Sequence, residues 1–241
     1  KRRSASDEYA FVITYEYEVD KFGENTIGKA TTAFDQVILA LRLFAGKGDV
    51  SYPIIRTEAR SKFETEEQTS PIGPNMSFIG SEYHLTAEEC GEFSKFWSEV
   101  IDQIRNPDDN YRVALDKFSS SFKRANENDR LLDCVIALEA LYLKSGEFQE
   151  MSYRLSQRGA LLLGSNKDEA LKIKEKLKEA YNLRSRLVHG SSADIDRSFI
   201  LELHELTRKS LATFIKQKEK GNDHNNIIQS LDQRASTPEE N

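Results

Sequence analysis

Cysteine is scarce in this chain, two in 241 residues, and Cys90 and Cys134 stand far apart without metal-ligand spacing. They read as reduced, partly buried thiols of a cytoplasmic protein. No stretch approaches eighteen consecutive apolar residues, and no charged-then-apolar leader with a cleavage site is visible. The sequence therefore offers no membrane-spanning helix and no secretory signal, and a soluble protein is expected. A Gly-rich phosphate loop, a Ser-His-Asp order and a cluster of metal ligands are also missing. Neither metal nor cofactor is expected, and a nucleotide-binding or nucleotide-modifying domain loses support. Nor is there a cationic excess, since the formal net charge is −6, which argues against broad, non-specific adhesion to nucleic acid.

What is present suits a globular core: 38% of the residues are apolar, and the length allows one large or two small domains. Charge is unevenly spread. Residues 129–221 hold 17 Lys+Arg against 14 Asp+Glu, while residues 1–128 hold 16 against 22 and the rest 1 against 4. The small positive excess on 129–221 is what an anionic substrate requires, and equally what an ordinary solvated face shows. The chain begins at Lys1 rather than Met, and is expected to be a piece of a longer protein.

Glu8 to Val19 reads as a strand, with Tyr9, Phe11, Ile13, Tyr15 and Tyr17 in partial alternation. A turn over Gly23–Gly28, a helix over Thr31–Phe44 and a strand-like stretch over Val50–Arg60 follow. Residues 1–80 are expected to form a small α+β lead-in, the end of a preceding domain plus a linker, with Glu64–Gly80 as loop. Residues 81–233 read as an antiparallel helical bundle, making the fold mainly α, and residues 234–241 as a disordered tail. Thr86 with Glu89 is a capping box for a helix over Ala87–Ile104. Its aromatic residues Phe93, Phe96 and Trp97 recur at helical spacing and read as core.

Tyr111–Ala125 gives a second helix, and Asp129 is expected to cap a third over Arg130–Leu143 that is apolar on most sides. There Glu139 shares a stripe with Leu132, Ile136 and Leu143. A carboxylate so placed needs a cation, for which Arg154, Arg158 and Arg184 are candidates. The pair is either a structural brace or a means of orienting Arg184. Arg154 and Arg158 lie four apart on the helix Met151–Leu163, so both can reach one carboxylate or one phosphate. His204 falls one residue from the apolar side of a helix over Ile195–Gln217 and reads as a partly exposed packing residue. A short helix over Asn225–Leu231 ends the ordered part.

The helix from Asn166 to Gly190 carries the most specific pattern. Ile173, Leu177, Tyr181 and Val188 form an apolar stripe in which Arg184 takes a position due to an apolar residue. An arginine head there must find an anion or a hydrogen-bonding partner. His189 falls on another line with Asn182 and Ser185, at a helix end where the dipole favours an imidazolium. Gly190 supplies the left-handed stop.

Residues 184–190 (RSRLVHG), 130–142 (RLLDCVIALEALY) and 153–164 (YRLSQRGALLLG) together resemble the HEPN superfamily, in particular its ApeA-like branch, over about residues 110 to 233. The resemblance implies a helical bundle, usually dimeric, and a metal-independent ribonuclease of a toxin, antiphage or RNA-processing system, with Arg184 and His189 as the Arg-x4-His pair. In catalytic members the residue after the motif arginine is often Asn, Asp or His; here it is Ser185.

Five residues turn an ideal helix by about 500°, so Arg184 and His189 start roughly 140° apart. Either the long arginine reaches back near a distorted helix end, or a second copy of the helix completes each cleft. RNA cleavage by 2′-OH attack needs a proton acceptor, a clamp for the phosphate charge and a proton donor for the 5′-oxygen. Histidine as a residue type serves as base or acid, and arginine presents a planar fork to phosphate oxygens. The expectation is a cytoplasmic endoribonuclease acting on RNA as a homodimer, with catalytic Arg184 and His189, supporting groups Asn182, Ser185, Glu139, Arg154 and Arg158, and an upstream sensing region. The alternative is a non-catalytic dimerisation or ligand-binding module in which the pair only braces the bundle.

Overall fold

The computed structural model describes residues 26–45, 54–60, 65–71, 85–191 and 193–236, together with Val50 and Tyr83. In chain order they form α1 (Thr26–Ala45), β1 (Ile54–Arg60), β2 (Thr65–Pro71), α2 (Ala87–Arg105), α3 (Asp109–Ser121), α4 (Glu127–Tyr142), α5 (Met151–Leu163), α6 (Lys167–Val188), α7 (Arg197–Glu219) and α8 (His224–Ser236). The fold is mainly α, as the hydrophobic periodicity predicts. The strand expected over Glu8–Val19 lies outside the described residues, as do residues 237–241.

Several ends follow their local chemistry. At α2 the Thr86 hydroxyl accepts from the Glu89 backbone N–H (3.3 Å) while the Glu89 carboxylate accepts from Thr86 N–H (2.9 Å), the reciprocal cap the sequence predicts. At α4 the cap is Asn126, whose side chain accepts from Asp129 N–H at 2.8 Å. The helix thus begins at Glu127, three residues before the expected start, and Asp129 sits inside its first turn. β2 corrects the loop expected over Glu64–Gly80. Thr65–Pro71 pairs antiparallel with Ile54–Arg60, Ile54 opposite Pro71 and Arg60 opposite Thr65. A strand this polar is defined by its partner rather than by its own hydrophobicity.

The core runs through all eight helices found among the described residues. α4 is its centre, with Leu131, Cys134, Ala137, Leu138, Leu141 and Tyr142 without measurable exposure. α3 and α7 pack on it, α5 and α6 form a hairpin beside it, α8 closes over α5, and α1 lies against α2 and α7. Leu39, Ala40 and Leu43 of α1 belong to the same buried cluster as α4, and Arg208 of α7 donates to the Leu43 carbonyl at 2.9 Å. The α5–α6 hairpin is tight. A Cβ at Gly164 would stand 2.8 Å from the Ala170 Cα and 2.8 Å from the Ala160 carbonyl, so only glycine fits the corner between the two helices. This hairpin sets α6 along the flank of the bundle, where Leu183 and Leu187 near its far end pack on the core.

Candidate functional site

α6 buries Ile173, Leu177 and Ala180 and turns Arg184 towards α4. There Arg184 Nε stands 3.5 Å from Glu139 Oε1, the two side chains being 28% and 16% exposed. At that distance the pair is ionic rather than a close hydrogen bond. Burial pushes the Glu139 carboxyl above its ordinary range, and Arg184 pulls part of that shift back. Tyr181, one turn before Arg184, donates its hydroxyl to Met151 Sδ at 3.6 Å. Burial and the Glu139 charge raise its pKa while Arg184 lowers it, so Tyr181, Glu139 and Arg184 form one electrostatic group. Of the three cations proposed for Glu139, Arg184 is the one that reaches it.

Arg154 and Arg158 go elsewhere. Both reach Glu147 in the turn before α5, Arg158 at 2.7 Å and Arg154 at 3.4 Å. Arg158 is 2% exposed; it also donates to Asp232 of α8 (2.7 Å) and to the Tyr142 carbonyl (2.6 Å). Burial alone would lower the Arg158 pKa, but the hydrogen bonds to Glu147 and Asp232 outweigh it and raise it. The Arg158 bond holds Glu147 down at about 2, against a burial effect of opposite sign. The shared carboxylate foreseen for these arginines is therefore Glu147, and the group is a clasp between α4, α5 and α8. Arg130 and Asp133, in the block 130–142, are likewise structural: Arg130 donates to Glu127 and to the Arg124 carbonyl, and Asp133 accepts from Lys117 and Arg124.

His189 stands five residues beyond Arg184 as the C-cap of α6, exposed. Gly190 takes φ +79°; its N–H donates to the Leu187 carbonyl and Ser191 N–H to the Arg186 carbonyl, both at 3.0 Å. These are the two bonds of a Schellman turn, so the backbone carrying His189 is fixed although its ring faces solvent. Val188 is 57% exposed, which corrects its place on the apolar stripe: the last side chain of α6 packed on the core is Leu187. Asn182 is exposed and Ser185 half-buried. Asn182 lines an open groove of about 330 Å³ with Glu175, Lys178, Glu179, Leu183 and Arg186. Neither Arg184 nor His189 lines it. One chain thus brings Arg184, Glu139 and Tyr181 together on the inner side of α6, and sets Asn182 and His189 on its outer side.

His204 departs from expectation. It is 6% exposed, its ring 4.8 Å from that of Phe122 and 6.1 Å from that of Phe118, and neither ring nitrogen has a hydrogen-bond partner among the described residues. Burial, with Arg130 and Arg42 nearby, drives its pKa down to about 3. The partners Glu147, Asp232 and Met151 escaped sequence reasoning, because two lie in a turn and a terminal helix and the third carries no charge. Among the described residues no cluster of three or more His, Cys, Asp or Glu is placed to hold a metal ion, and no helix is long and apolar enough to cross a membrane. No family model, curated protein or solved structure matches the chain.

Proposed function

We propose that the chain carries a HEPN-type endoribonuclease that cleaves RNA without a metal ion, in a cytoplasmic defence or toxin-like system. The supporting observation is the build of α6: its arginine is oriented by a half-buried carboxylate, and its histidine, five residues on, is fixed at a Schellman turn and open to solvent. His189 takes the proton from the 2′-OH or returns one to the leaving 5′-oxygen. The 2′-oxygen bonds to phosphorus, the P–O5′ bond breaks, and the products end in a 2′,3′-cyclic phosphate and a 5′-OH. Arg184 holds the charge that gathers on the phosphate oxygens, and Asn182 and Ser185 supply further polar contacts. Because the two side chains leave α6 in different directions, each cleft takes Arg184 from one chain and His189 from a second copy. The region ahead of α2 acts as a sensing or docking lead-in.

The test is cleavage of a mixed single-stranded RNA and tRNA pool in EDTA by this chain, His189→Ala and Arg184→Ala. Cyclic-phosphate products that vanish in both variants at unchanged melting temperature are expected. One observation favours a second reading: Arg184 already has an anion, Glu139. If it only braces the bundle, the chain is a non-catalytic dimerisation or ligand-binding module, no cleavage occurs, and Arg184→Ala melts early.

A further inference from the structure

The aromatic residues of the bundle are mostly buried against one another, but two near α5 are not. Phe148 is 84% exposed in the turn before α5, and Tyr153 is 54% exposed on its first turn. Neither ring is needed to hold that turn, which is closed by Glu147 accepting from Lys144 N–H and from Arg154 and Arg158. Tyr153 lies against α6, where Lys174 Nζ stands 5.1 Å from its ring centroid. Lys174, Lys178, Tyr181 and Ser185 follow at spacings of four, three and four, so they share one line of the helix. Glu175 and Glu179 fall on the next line. The line of α6 beside Tyr153 therefore carries two ammonium groups, Lys178 bordering a groove it shares with Glu175 and Glu179, and it runs towards Ser185 and the turn at His189. Neither lysine is in an ion pair with a described residue.

We propose that Tyr153, Lys174 and Lys178 form a binding subsite for single-stranded RNA. An unpaired base stacks on the Tyr153 ring, phosphates meet the two lysines, and the strand is laid along α6 towards His189. An aromatic ring accepts any base face, so the subsite sets single-strandedness rather than sequence. The RNA substrate is taken from the ribonuclease reading above, on which this inference rests.

The test uses a fluorescein-labelled, uncleavable 2′-O-methyl single strand of mixed sequence, with affinity read by anisotropy over a range of salt. Tyr153→Ala is expected to weaken binding about 5- to 150-fold, the range for one stacked base, while Tyr153→Phe stays within about 2-fold. Lys174→Gln should reduce the slope of log K against log salt by about 0.7, one phosphate contact on a single strand. Tyr153 is on the surface, and matched melting temperatures establish that its variants fold. Equal affinity of Tyr153→Ala and wild type overturns the subsite, as does a wild-type chain that binds no RNA and leaves this surface to a protein. Cleavage in the EDTA assay together with equal affinity would leave the nuclease standing and the subsite lost. Loss of binding in Tyr153→Ala with no cleavage by any variant would do the reverse.

Discussion

His204 shows what a helical wheel conveys and what it leaves out. Its position at the edge of an apolar face was legible; that Phe118 of α3 and Phe122 at its C-cap close over it was not, because closure is decided by a helix some 80 residues away. A buried imidazole with two unpartnered nitrogens costs folding energy that an apolar side chain of similar volume does not. His204→Leu is expected to raise stability by about 1–2 kcal/mol in urea unfolding at pH 7. It should also change the acid limb. The folded pKa of His204 is depressed from 6.5 to about 3, so below pH 6.5 the unfolded chain binds a proton the folded chain refuses, and stability falls as pH falls through that window. His204→Leu should remove one proton's worth of slope, about 1.4 kcal/mol per pH unit. An unchanged slope would mean that the folded chain takes up the His204 proton as readily as the unfolded one.

At the scale of elements, starts and stops were the readable part. The capping box of α2 and the stop at Gly190 follow from residues within four positions of the helix end. The α5 clasp was not readable, since Arg158 meets Glu147 across a turn and Asp232 74 residues on, and separation along the chain hides both. Losing Arg158 leaves Glu147 with Arg154 and Asp232 with Lys144, both at longer distances, and removes the charged link between α5 and α8. Arg158→Ala is expected to destabilise by about 3 kcal/mol, whereas Asp232→Asn, at a carboxylate 39% exposed, should cost under about 1 kcal/mol. The clasp should also have a pH signature. Glu147 is held at about 2 against an ordinary 4.5, so its contribution is complete above pH 4.5 and is lost as pH falls towards 2. Melting temperatures of wild type should fall more steeply over that window than those of Glu147→Gln. Gly190 is the matching test at the site. A side chain at φ +79° costs about 1–2 kcal/mol, so Gly190→Ala should melt slightly early, shift His189, and lower cleavage more than His204→Leu does.

For the whole molecule, mainly helical architecture was legible because apolar residues recur at three to four along α2 to α7, whereas the direction of each polar group depended on which helix lay opposite. Arg184 turns inward to Glu139 on α4, and His189 turns outward from the end of α6. If each cleft draws Arg184 from one copy and His189 from the other, two inactive variants must repair each other. In an equal mixture of Arg184→Ala and His189→Ala, half of randomly assorted dimers are mixed. Each mixed dimer has one cleft with both native groups and one with neither, so about a quarter of wild-type cleavage should return on mixing, once subunits have exchanged. Clefts built within a single chain predict a different outcome, because every cleft of a mixed dimer then lacks one group and no activity returns. A monomer gives the same silence, and sedimentation of the wild-type chain at the assay concentration separates the two. Recovery near a quarter, rising with total protein until the dimer is saturated, would place the two halves of the site on different chains.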